Sequence, residues 1–278
     1  MAHIKIHPIK IDFKIPVSDQ LKLSRFVYLF IIEGEALHLI DSGVASAFEP
    51  IYDYSKKIGR DIYDIQNIFL THSHPDHIGA AKIIQDKTNC KVYAPEKEVH
   101  WIENTDLQFK QRPVPGFKEL VAGSVKVYRT VQQEQEFKLE QNLTLRAVPT
   151  PCHSCGSTSY YFNEAKSLFC GDAVLLPGEI PVFENVQQYL QSLENIKKLH
   201  TNVLYSSWNQ QRSLSEISEV LKRSREYIIH IQQVAKKVAR TSGNVNSKEY
   251  CKKVLKGLNL NPGMANPLLL KSFLACLN

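Results

Sequence analysis

Residues 71 to 77 read Thr-His-Ser-His-Pro-Asp-His, which puts three imidazoles and a carboxylate within six residues. Imidazole nitrogen and carboxylate oxygen are the donors that a borderline cation such as zinc takes, and iron and manganese accept the same set. The run follows Ile68-Phe69-Leu70 and precedes Ile78-Gly79-Ala80-Ala81, the pattern of a loop that leaves a buried strand and enters a helix. Loops at strand ends are where an α/β scaffold presents its chemistry. Three of the ten histidines fall in this one segment, so a solvated polar turn accounts for it poorly.

The heptad resembles the His-x-His-x-Asp-His signature of the metallo-β-lactamase superfamily. The resemblance implies that His72 and His74 serve a first metal, and Asp76 and His77 a second. It also makes demands downstream. Pro149-Thr150-Pro151-Cys152-His153-Ser154-Cys155-Gly156-Ser157 follows the strand-like Leu143–Val148, and offers His153 as the third ligand of the first site. Ser167-Leu168-Phe169-Cys170-Gly171-Asp172 offers Asp172 as the bridging aspartate, and Leu39-Ile40-Asp41 an aspartate that supports the loop without ligating. At the last position the pattern breaks. Asn202-Val203-Leu204-Tyr205-Ser206-Ser207-Trp208-Asn209 carries Trp208 where a histidine is expected. Indole has an N–H donor and no lone pair for a metal. His200 sits at the other end of that segment. The expectation is therefore one tightly held zinc on His72, His74 and His153, three protein ligands plus water being the open catalytic arrangement. The second site, with Asp76, His77 and Asp172, is a ligand short.

The resemblance implies a metal-dependent hydrolase, similar to glyoxalase II-type enzymes, that uses an activated water on an ester, thioester or related small molecule. The catalytic residues are then His72 and His74 through the metal, and Asp76. With the second site empty, Asp76 is free to orient the attacking water or take its proton. Two rivals stand beside this reading. One is an RNA nuclease whose basic tail holds phosphates. Residues 211–278 carry 12 Lys and Arg against four Glu, whereas residues 1–210 carry 22 basic against 24 acidic. That tail lacks interleaved aromatics, and exposed basic helix faces commonly serve solubility. The other rival is a metal-binding sensor or ligand-binding protein in which Trp208 marks lost turnover.

The elements that must position these residues read as α/β. Phe26–Ile32 and Ala36–Ile40 flank Glu33-Gly34-Glu35 as a hairpin, and a helical stretch from Ala47 to Gly59 leads to the strand before the heptad. Ala80–Thr88 reads as a helix, Lys91–Ala94 as a strand, and residues 95–125 as irregular around Pro113 and Pro115. His100 and Trp101 in that stretch read as a surface histidine and a packed tryptophan. Val186, Tyr189, Leu190, Leu193 and Ile196 have helical spacing before the Val203–Tyr205 strand. The implied fold is a four-layer αβ/βα sandwich over residues 1–210. Residues 211–278 form a basic helical extension packed on it. Ser213-Leu214-Ser215-Glu216 is a capping box that opens the first helix, with Leu214, Ile217, Val220 and Leu221 on one face. Asn266-Pro267 opens the last.

Six cysteines in 278 residues do not make a disulfide scaffold. Cys152 and Cys155 flank His153, and buried packing is the reading preferred over a redox switch. The longest apolar run has seven residues, far below the ~20 of a membrane span. The first eight residues lack the features of a secretion signal, so a cytoplasmic location is expected. Neither the substrate nor the oligomeric state is written in the sequence.

Overall fold

The computed structural model describes residues 4–18 and 21–278. Two six-stranded sheets face each other. The first contains, in spatial and chain order, β1 (Lys5–Ser18), β2 (Leu21–Glu33), β3 (Leu37–Ile40), β4 (Ile65–Phe69), β5 (Lys91–Pro95) and β6 (Val127–Val131). The β1, β2 and β3 pairings are antiparallel, and those from β3 to β6 are parallel. The second sheet runs β7 (Glu136–Glu140), β8 (Leu143–Pro149), β9 (Thr158–Phe162), β10 (Ser167–Phe169), β11 (Val203–Tyr205) and β12 (Arg212–Ser213).

Alternation along the strands builds the layers. On β2, Phe30 and Ile32 face the second sheet, while Val27, Leu29 and Ile31 face outward into a separate core. Both faces are covered, which is why Phe26–Ile32 reads as a continuous apolar run. Between the sheets Phe69 stacks on Tyr93 at 4.4 Å, and Phe169 on Tyr205 at 5.1 Å. The outer face of the first sheet is covered by α1 (Phe48–Lys57) and α3 (Ala81–Thr88), with the four-residue α2 (Pro75–Ile78) between them in sequence. Residues 95–125, irregular by sequence, hold three short helices: α4 (Val99–Ile102), α5 (Thr105–Gln111) and α6 (Phe117–Leu120).

The second sheet is covered by α7 (Val186–Lys197) together with α8 (Leu214–Ala239), α9 (Lys248–Gly257) and α10 (Pro267–Ala275). Leu168 and Leu204 of the sheet, Tyr189 and Leu193 of α7, and Ile228, Val254 and Phe273 of the last three helices share one buried cluster. The extension therefore completes the fourth layer. Glu216 accepts from the Ser213 backbone N–H at 2.9 Å at the start of α8, as the capping box requires. Leu214 differs from the expected apolar stripe: it is 64% exposed, because the buried face begins at Ile217. No helix among the described residues is long and apolar enough to cross a membrane.

Gly79, just after α2, locks this scaffold to the heptad loop. Its N–H donates to the Gly43 carbonyl at 2.7 Å, and its carbonyl accepts from the Ala122 N–H at 2.9 Å. A Cβ here would lie 2.5 Å from two backbone carbons of Val44, which have no freedom to give way. Gly79→Ala is expected to cost about 1–3 kcal/mol, the range for overpacking, measured by urea unfolding. Unchanged stability would mean that the loop is looser than this packing requires.

Candidate metal centre

The heptad loop leaves β4, the His153 loop leaves β8, and Asp172 follows β10, so chain ends from both sheets meet at one edge of the sandwich. His72, His74 and His153 bring one ring nitrogen each to within 4.8 Å of one another; His72, His77 and Asp172 do the same with their ligand atoms. The His74 Nδ1 to His153 Nε2 distance is 2.8 Å. Asp172 reaches His153 Nε2 at 3.2 Å with Oδ2, and His77 Nε2 at 3.3 Å with Oδ1.

The backs of the rings are tied down. His77 Nδ1 donates to Asp41 Oδ2 at 2.8 Å, and His153 Nδ1 to the Val182 carbonyl at 2.8 Å. His72 Nδ1 lies 3.0 Å from Thr71 Oγ1, whose own proton goes to Asp41, so this ring also has its proton on Nδ1. Carbonyls and carboxylates only accept, so each of these three rings, when neutral, presents its Nε2 lone pair inward. His72 Nε2, His77 Nε2 and Asp172 Oδ1 are buried without a hydrogen-bond partner. Orphaned inward-facing acceptors are what a bound cation relieves, so the donor set fits a metal of the zinc class. Asp41 fills the supporting role expected of it, with a left-handed backbone (φ 60°) at the end of β3 and Oδ1 accepting the Thr71 N–H at 2.7 Å.

Burial, reinforced by neighbouring imidazoles, holds His72 and His74 well below the ordinary imidazole range. Neutral rings are the form that ligates. Burial also opposes charge on Asp172, but His77 and His153 beside it keep its carboxyl far below the usual range. Burial and the proximity of Asp172 raise Asp76, against the pull of His77. Asp76 belongs to neither of these two groups of three, but its carboxylate is 4.0 Å from His77 Nε2, and it borders a cavity of about 300 Å3. Trp208, half-buried, packs against Phe26 and belongs to neither set. Cys152 is fully buried, with its thiol pushed up to about 12 by burial; Cys155 is pushed up to about 11 for the same first reason. Cys152 packs in the core, whereas Cys155 is half-buried with its thiol 3.5 Å from Glu98 Oε1. His100 is exposed and lies on Trp101, away from the centre.

Three residues that no motif announces complete the surroundings. Glu98, wholly buried, accepts from Ser73 in the heptad loop and from Ser154 Oγ at 2.6 Å and the Gly156 N–H at 2.7 Å in the His153 loop. Arg112 stacks on Trp101 at 3.5 Å and donates to Ser154 Oγ at 3.2 Å and Glu184 at 2.9 Å. Arg25 of β2 stacks on Trp208 at 4.3 Å. Such lone charged residues carry no sequence signal, because the groups that give them meaning come from other loops of the chain.

A two-sheet αβ/βα sandwich with a histidine-rich centre at the strand ends defines a class of metal-binding α/β proteins. The match to the family model "Metallo-beta-lactamase superfamily" over residues 22–208 makes the assignment: the chain belongs to that superfamily. It is 28% identical over 190 residues to an atrochrysone carboxyl ACP thioesterase of Aspergillus fumigatus, covering 66% of this chain and 52% of that one. It is also 28% identical over 174 residues to a hydroxyacylglutathione hydrolase of Bartonella tribocorum, covering 62% and 60%. The chain thus spans a little over half the length of these curated relatives. A metallo-β-lactamase family protein of Thermus thermophilus superposes with a TM-score of 0.68 at 20% identity, covering 95% of this chain and 92% of the other. That likeness concerns the fold, and it extends through the helical tail.

Proposed function

We propose that this chain hydrolyses an ester or thioester with an apolar acyl group, using one zinc ion held by His72, His74 and His153. The observation that supports this most directly is the orphaned, buried His72 Nε2 facing the His74–His153 pair. Zinc bound there supplies Lewis-acid polarisation of a carbonyl and a water acidified toward neutral pH. Asp76 then orients the attacking water and takes its proton, being a carboxylate beside the donor set but outside it. Asp172 spans His153 and His77 and keeps both rings in register. The thioesterase and hydroxyacylglutathione hydrolase among the relatives support acyl transfer from sulfur to water.

The cavity supports the apolar acyl group. Phe13, Ile15 and Leu23 of the β1–β2 hairpin form one wall, and Met264, Leu268 and Leu269 of the tail another. These apolar walls suit a hydrocarbon chain better than a polyphosphate backbone, which is why hydrolysis of small acyl compounds stands ahead of nuclease activity. A space of about 300 Å3 equals about ten water volumes of ~30 Å3 each, enough for an acyl chain on the order of eight carbons.

The test is a panel of acyl thioesters and p-nitrophenyl esters from two to twelve carbons, assayed before and after removal of metal with a chelator. Turnover is expected to vanish on chelation and return with one equivalent of zinc. Burial of each added methylene, worth about 0.8 kcal/mol, is expected to raise kcat/KM about fourfold until the cavity is full. Undiminished turnover in the chelated protein, or no hydrolysis of any member of the panel, would sink the reading.

A further inference from the structure

The half-buried guanidinium of Arg25 is the one charged group of β2 that borders the cavity beside the histidine centre. It lies over the Trp208 ring at 4.3 Å, and Phe26 packs near the same indole at 6.1 Å. Trp208 lines the same cavity as Asp76 and Asp172. Asp76, Asp172 and Glu179 line the same cavity as Arg25 and act on its charge, yet no ion pair within 4.0 Å joins Arg25 to a carboxylate among the described residues. Glu179 is committed elsewhere, accepting from the Leu176 N–H at 2.8 Å and from Asn209 at 2.5 Å. A cation therefore stands near the carboxylates of a second-ion site, held on the very residue that replaces that site's missing histidine. A guanidinium on an aromatic face is a fixed, permanently charged group.

Charge balance points the same way. One divalent ion on the three histidines plus Arg25 matches the charge of Asp76, Asp172 and Glu179, with Lys248 a further cation on the cavity wall. A second divalent ion would bring an excess of two positive charges next to a guanidinium with restricted access to water, where repulsion is weakly screened. We propose that Arg25, braced by Trp208, is the chain's own cation in place of a second metal: it limits the centre to one ion and turns its N–H donors toward a substrate oxygen in the cavity. The pair works as a unit. Trp208 removes a ligand and supplies the face on which the guanidinium rests, and Arg25 supplies the positive charge that a second ion would have brought.

The substrate part of this inference rests on the hydrolytic reading; the metal part does not, and the experiment separates them. Zinc per chain is measured by mass spectrometry after equilibration with excess zinc and desalting, and affinity by titration calorimetry. The wild-type protein, Arg25→Ala, Trp208→His, the double variant Arg25→Ala/Trp208→His and a shape-conserving Arg25→Gln/Trp208→His are compared. The wild-type protein and Arg25→Ala are expected to hold one zinc. Both double variants are expected to hold two, and Trp208→His alone to bind its second ion at least tenfold more weakly than they do. A second ion bound equally well by Trp208→His with Arg25 present would overturn the proposal. So would two ions in the wild-type protein, or only one in both folded double variants. If no acyl ester is hydrolysed, the functional reading fails while the zinc counts still decide this one. If esters are hydrolysed, Arg25→Ala is expected to lower kcat at unchanged zinc content and Arg25→Lys to restore part of it.

Discussion

Asp76→Asn is expected to lower kcat by about 10²–10⁴-fold while leaving zinc content unchanged. Asparagine has nearly the shape of aspartate, so the turn at the start of α2 is preserved, with Pro75 at the first helical position. What it lacks is the ability to take a proton. Asp76 lies outside the His72, His74 and His153 set, so the first ion loses no ligand with the substitution. The variant also removes one of the carboxylates that sustain the Arg25 charge, which changes substrate contacts and not metal content. Two results would argue against the role. Near-normal turnover would show that the proton leaves by another route. Loss of zinc in step with loss of activity would show that Asp76 ligates instead of acting on water.

The parts of this centre that were legible in the sequence are those whose chemistry is local in the chain. Four donors in six residues are visible because a loop between a strand and a helix can hold them together without help from distant residues. His153 and Asp172 were legible because each follows a short apolar strand, and the strands put them at the same sheet edge. Trp208 reads as a departure from the family pattern because it follows the apolar Val203–Tyr205 strand, and in the structure it lines the cavity with Asp76 and Asp172. β1 carries a plain signal of its own: Ile9, Ile11 and Phe13 are buried, while Lys10, Asp12 and Lys14 between them are exposed. Read only for export features, the N-terminal stretch does not reveal this period-two edge strand, with Pro8 tolerated at the sheet margin. Leu214 shows the reverse error. Helical spacing extends the apolar stripe to it, but the packing partners begin a turn later. Glu98, Arg112 and Arg25 were illegible for a deeper reason. A buried charge is meaningful only through its partners, and those come from other loops.

Glu98→Ala is expected to lower stability by about 3–5 kcal/mol and to weaken zinc binding, even though Glu98 touches no metal-ligating atom. Its carboxylate joins the two loops that carry the first donor set. Ser73 lies between His72 and His74, and Ser154 follows His153. Removing the acceptor leaves Ser73 N, Ser154 Oγ and Gly156 N without their partner in a buried place. It also leaves the Arg112 guanidinium, 3.8 Å from Glu98, supported on the acidic side by Glu184 alone. Glu98→Gln separates charge from shape. It keeps the volume but turns an N–H donor toward a ring of donors, so an intermediate loss of about 1–3 kcal/mol is expected. Thermal melts in chelator report the loop junction itself, and zinc titration reports how well the loops then present the rings. The decisive comparison is between the two readouts. A buried carboxylate that only filled space would lower the melt and leave the affinity of the refolded protein intact. One that sets the distance between His74 and His153 lowers both, because a ligand pair held at the wrong separation must be drawn together at the expense of binding.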